Sequence, residues 1–92
     1  MSSLDKLARQ SKVDEVFTTL LRRHTGQGRN VSHKAPANAY APTEFAKADL
    51  AKQHNIKRAE LAESMERLFT ANKIIVETYG KTARPYQRIV VA

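Results

Sequence analysis

Val13, Val16, Phe17, Leu20 and Leu21 fall at i, i+3, i+4, i+7 and i+8, the spacing that puts apolar side chains on one helical face. The spacing predicts a helix over 12–25. Ser11 caps its start, and Asp14 and Glu15 complement the positive end. Arg22, Arg23 and His24 suit the negative end, and Gly26 stops it. Residues 1–10 read as an N-terminal lead-in, either frayed or adding a turn through Leu4 and Leu7. The next stretch, GQGRNVSHKAPANAYAP over 26–42, has no period and is rich in Gly, Asn and Pro. Connections this long in a small domain are commonly functional or mobile. Within it, Tyr40-Ala41 reads as a short strand before Pro42.

Pro42-Thr43 opens a second helix, with Thr43 as its cap. Phe45, Ala46, Ala48, Leu50 and Ala51 give it small and apolar packing up to a break at His54-Asn55. Ile56 then plugs the turn into the core. A third helix follows over 58–72, with Leu61, Met65, Leu68 and Phe69 on its core face and Asn72 at its end. From Ile74 the period changes to two, predicting strands over 74–79 and 86–91 joined by the turn GKTARP. The order is helix, long loop, helix, tight turn, helix, hairpin. It predicts a mainly α domain over 11–92 with a small antiparallel sheet of two or three strands: a winged helix-turn-helix.

Composition narrows the function. In 92 residues, 16 Lys and Arg stand against 9 Asp and Glu, a net charge of +7. Such an excess points first to a polyanionic partner. The absence of cysteine removes disulfides, thiolate catalysis and Cys-zinc sites, and it fits a reducing, cytoplasmic setting. No apolar run reaches the roughly 20 residues of a membrane span, and the polar N-terminus has no signal-peptide core. Gly80-Lys81-Thr82 resembles the end of a phosphate-binding loop. Ile75 stands where that loop needs glycine, and a hairpin follows instead of a helix. His24, His33 and His54 share no helix-face spacing that would hold a metal. No nucleophile, base and acid converge in the sequence, so neither enzyme activity nor a cofactor is expected.

In a helix-turn-helix the second helix enters the DNA major groove while the first braces it. That role falls to 58–72, with Lys57 and Arg58 at its leading end and Arg67 farther along. Lys81, Arg84 and Arg88 give the hairpin a cationic tip suited to phosphates or a minor groove. Arg29 and Lys34 on the long loop add backbone contacts. Duplex DNA is the expected partner, bound by a monomer or weak dimer. Against this stand Glu60, Glu63 and Glu66 on the same helix. They open the alternative of a protein-interaction module docking on a basic replication or ATPase partner, which an exposed apolar patch beside the acidic face would favour.

From Arg29 onward the chain resembles a known family. GRNVS (28–32), YAPTEFA (40–46), MERLFTANKIIVETYG (65–80), the basic turn and the closing apolar strand are similar to the C-terminal winged-helix segment of RecA-like replicative ATPases of phages, prophages and plasmids. The resemblance covers about three-quarters of the chain. It implies an accessory, DNA-contacting role in replication, with the ATPase lying elsewhere. The chain departs from the pattern at Lys57, where a Ser-type cap is more usual, and in a less basic hairpin tip.

Overall fold

Residues 3–11 contain neither proline nor glycine, and Leu4, Lys6, Leu7, Ala8, Arg9 and Gln10 are strong helix formers. In the computed structural model, which describes residues 3–29, 31–33, 40–79 and 86–92, they belong to the first helix. That helix, α1, runs unbroken over Ser3–Gly26. Residues 3–10 of the predicted lead-in are therefore part of α1, and Ser11 lies inside the helix instead of capping it. At about 1.5 Å per residue a helix of 24 residues spans about 36 Å, which accounts for the elongated 50 × 26 × 24 Å shape. Gly28, with φ of 72°, makes the left-handed turn that follows, and the Arg29 N–H returns to the His24 carbonyl at 2.8 Å.

All five residues of the α1 apolar stripe are buried. His24, in the last turn of α1 as expected, joins them. Its Nδ1–H donates to the Leu20 carbonyl at 2.9 Å, and its ring lies 5.0 Å from that of Phe45. This local bond satisfies the buried nitrogen, so the imidazole packs as an aromatic side chain.

The predicted second helix is two. α2 covers Ala41–Ala46 and α3 covers Asp49–Gln53, with Ala48 extended between them at ψ of 145°. On an unbroken helix Phe45 and Ala51, six residues apart, would point about 120° apart. The break lets both be fully buried. α2 begins at Ala41, so Thr43 sits within its first turn, and the Tyr40 carbonyl accepts from the Glu44 N–H at 3.0 Å. Tyr40 forms an isolated parallel bridge with Ser32, closing the ends of the long loop on each other.

α4 covers Arg58–Thr70. Asn72, with φ of 58°, follows its end as expected. β1 (Ile74–Tyr79) and β2 (Tyr86–Val91) pair antiparallel, with Ile74 opposite Val91 and Tyr79 opposite Tyr86. Ile74 and Ile89 are buried against the helices. On the other edge of β2 the Ile89 N–H donates to the carbonyl of Val31, a buried loop residue, at 3.0 Å. The fold is thus mostly helical with a small two-stranded antiparallel sheet.

Phe45 sits at the centre of this core, edge-on to Phe17 at 4.9 Å. Phe45→Ala is expected to cost about 3–5 kcal/mol of unfolding free energy in urea titrations. Leu7→Ala, on the exposed part of α1, is expected to change it by no more than about 0.5 kcal/mol.

Candidate nucleic-acid interface

The turn before α4 is built by local constraints. Asn55 takes a left-handed conformation with φ of 53° and donates its N–H to the Lys52 carbonyl at 3.1 Å. Asn tolerates this region better than most residues. The turn then sends Ile56 into the core, where it is 3% exposed, and returns its N–H to the Ala51 carbonyl at 2.9 Å. Lys57 precedes the first turn of α4, and a Glu60 carboxylate oxygen lies 3.5 Å from its backbone N–H. That places a negative group at the positive end of the helix.

α4 presents distinct sides. Leu61, Ser64, Met65 and Leu68 face the core. Glu60 and Arg67 face α1. The outward side carries Ala59, Glu63, Glu66 and Thr70, all exposed. On the remaining edge the Arg58 guanidinium lies 5.5 Å from the centre of the Tyr40 ring, and Phe69 meets His33 edge-on at 6.0 Å.

The seam between α4 and α1 is polar. Arg9 donates to both carboxylate oxygens of Glu60, at 2.9 and 3.0 Å, and to the carbonyls of His54 and Asn55. The hydrogen bonds from Arg9 hold the Glu60 carboxyl below its usual range, against a partial loss of solvation that pushes the other way. Asp14 accepts from the fully buried Ser64 hydroxyl at 2.6 Å and from Arg67 at 2.7 Å. Arg67 also reaches the Gln10 carbonyl.

Of the predicted binding residues that are described, some are exposed and others are held in ion pairs. Lys57 and Arg58 are exposed at the leading end of α4, as expected, and Arg29 is exposed beyond α1. Arg67 is turned to α1 by its ion pair with Asp14 and is a structural residue. Arg88 pairs with Glu77, its cross-strand partner, at 2.9 Å. Lys34, Lys81 and Arg84 lie outside the described residues. Lys52, in the last turn of α3, is exposed just before the turn. Its signal in the sequence was its position three residues ahead of Asn55.

Among the described residues, no group of three His, Cys, Asp or Glu side chains is arranged to hold a metal, and no helix is long and apolar enough to cross a membrane. Comparison with known proteins finds no matching family model, no matching curated protein and no matching solved structure.

The Arg9–Glu60 bond makes stability pH-dependent in a defined sense. A carboxyl whose folded pKa lies below its unfolded value stabilises the fold above that unfolded value. It ceases to do so as pH falls through the folded one. The stability difference between the native chain and Glu60→Gln is expected to be greatest near neutrality and to shrink as pH drops below the usual value of 4.5. Urea titrations across the acid range check this; a difference constant with pH would show that Arg9 does not hold the carboxyl.

Proposed function

We propose that the chain is a winged helix-turn-helix domain that binds duplex DNA chiefly through phosphates. The order of elements supports the winged-helix reading, with α3 and α4 as the helix pair and β1–β2 as the wing. The Val31–Ile89 bond supplies the rudiment of a third strand. The observation that carries the functional reading is the exposure of Lys57 and Arg58 at the leading end of α4, with Lys52 exposed in the last turn of the preceding α3. None of the three forms an ion pair with a described carboxylate. Helix N-termini favour phosphate through their free N–H groups and dipole, and adjacent cations add to that field.

The same reading fixes how α4 meets the duplex. Its outward side bears Glu63 and Glu66, so lying lengthwise in a groove would bring two carboxylates against the phosphate walls. The domain instead docks by the end of α4. Such contacts position a protein on DNA and read little sequence. This suits the accessory role beside a replication ATPase that the family resemblance implies.

Titration of a mixed-sequence duplex over a range of salt tests the reading. Engagement of about three to five phosphates gives a log–log slope of about −3 to −4.5. Lys57→Ala/Arg58→Ala is expected to flatten that slope by about two and weaken binding at least about tenfold. Glu63→Gln/Glu66→Gln is expected to shift affinity by less than about threefold. No binding at low salt would remove the proposal. A rise of tenfold or more on removing the two carboxylates would put α4 lengthwise in the groove.

A further inference from the structure

The two strands have unequal edges. In an antiparallel pair, residues that exchange N–H···O bonds alternate with residues whose backbone groups point away from the partner strand. The Ala92 N–H donates to the Lys73 carbonyl at 3.0 Å, which extends the β1–β2 register by one hydrogen-bonded pair beyond Ile74 and Val91. Ile75, Glu77 and Tyr79 therefore bond to β2, and Ile74, Val76 and Thr78 direct their backbone groups to the outer side of β1. The same alternation turns the Ile89 N–H of β2 outward, where it meets the Val31 carbonyl. The outer edge of β2 is thus taken up in part by the loop. That of β1 is open: no described residue bonds to its outward groups. Nor is it guarded by the usual devices, since β1 has no proline and no bulge interrupts its register. Ile75 and Val76, on opposite faces of the strand, are 46% and 37% exposed.

We infer that β1 pairs antiparallel with β1 of a second copy of this chain, about a twofold axis at Ile75, to make one four-stranded sheet. This goes beyond the DNA-binding reading and does not rest on it. The side chains select that register. Centred on Glu77, the pairing would set two carboxylates directly opposite each other; centred on Val76, it would set each Ile75 against a glutamate. Centred on Ile75, it sets the two Ile75 side chains together and each Ile74 against Val76 of the second copy. Positions 73 and 77 are then also opposite, so Lys73 of each copy meets Glu77 of the other. Opposite charges and β-branched pairs placed this way stabilise a sheet, and like charges oppose it. Lys73 is exposed and has no carboxylate partner among the described residues. Arg88 occupies one oxygen of Glu77 and leaves the other for a second cation. Ile74 and Val76 exchange backbone bonds across the axis, and the left-handed Asn72 ends the ladder. Val90, the β2 partner of Ile75, continues the apolar row on both sides. The stretch 73–77 is in this way complementary to itself. A contact of about five residues per strand is small for an interface, and each copy brings a charge of +7, so the dimer is weak and exchanges rapidly.

Sedimentation equilibrium of the full chain, without DNA, tests the inference. The chain is expected to be monomeric at about 1 μM and largely dimeric at about 300 μM. Ile75→Lys sets two cations opposite each other at the axis, and Lys73→Glu sets a carboxylate against Glu77 at both ends. Each is expected to weaken the dimer at least about tenfold while keeping the helical circular dichroism of the native chain. Lys73 precedes β1, so its variant remains informative if Ile75→Lys does not fold. Amide exchange followed by NMR gives a residue-level readout. The Val76 N–H is expected to exchange more slowly as concentration rises, while the Ile75 N–H, already bonded to β2, does not change. A monomer at every concentration overturns the inference, as does a dimer indifferent to both variants. A dimer that dissociates on Leu4→Ser/Leu7→Ser and survives Ile75→Lys assigns the contact to the start of α1 and overturns it as well.

Discussion

Arg9 ties together parts of the chain that are about fifty residues apart. Its guanidinium closes on both oxygens of Glu60 and on two backbone carbonyls of the turn, so one side chain fixes α1, the turn after α3 and the start of α4. Planar, five-donor geometry makes this possible; a lysine in its place would satisfy the carboxylate as a point charge and leave the turn carbonyls to water. In the turn Asn55 is left-handed and Lys57 extended, and the N–H groups of Asn55 and Ile56 bond back to Lys52 and Ala51. The carbonyls Arg9 takes up belong to His54, the C-cap of α3, and to Asn55 just beyond it. The leading end of α4, with Lys57 and Arg58 exposed at it, owes its position to this contact as much as to the burial of Ile56.

A second polar contact lies five residues farther along α1. Asp14 reaches a buried serine and a half-buried arginine, and each partner depends on it. Without the carboxylate, Ser64 would lose its acceptor inside the core and Arg67 would lose its counter-ion. The apolar core turns one side of α4 inward, since Leu61, Met65 and Leu68 fall within about 60° of one another around the helix. The polar seam adds to that rotational fix. It holds Glu60 and Arg67 inward and, as a geometric consequence, Glu63 and Glu66 outward. Hence the charge of the outward side is settled by partners on another helix.

These dependencies explain which features could be read from the chain and which could not. The α1 stripe, the Asn55 turn, the Ile56 plug and the two strands are encoded by residues close in sequence, and the structure has them as expected. Helix 12–25 lengthened to Ser3–Gly26 because the expectation rested on the apolar stripe. The preceding residues continue the helix by intrinsic propensity and by the Arg9 contact, neither of which leaves a periodic trace. The break at Ala48 was hidden because alanine favours helix; only the need to bury both Phe45 and Ala51 against α1 and α4 requires it. Val31, inside an aperiodic loop, gave no sign of its place beside β2. For the candidate site, Lys57 and Arg58 were legible because a helix start is a local feature. Arg67 was not, since its partner is 53 residues away.

Net charge is therefore a poor guide to where this protein meets its partners. Five carboxylates, Asp14, Glu15, Glu44, Glu60 and Glu77, are matched to cations within the fold. Pairing removes equal numbers of each sign, so the excess of seven survives, but its location changes. Arg9, Arg67 and Arg88, three of the chain's arginines, are spent on structure, and among the described residues the cations outside these ion pairs are Lys52, Lys57 and Arg58 around the turn, Arg22, Arg23 and Arg29 at the far end of α1, Lys6 near its start and Lys73 after α4. Screening limits the reach of each group to about 8–10 Å at physiological salt. Over that distance a polyanion senses the local group and not the total, and the flank of α4 presents the opposite sign. On the DNA-binding reading proposed above, it is the cationic tip of α4, and not its anionic side, that faces a phosphate backbone.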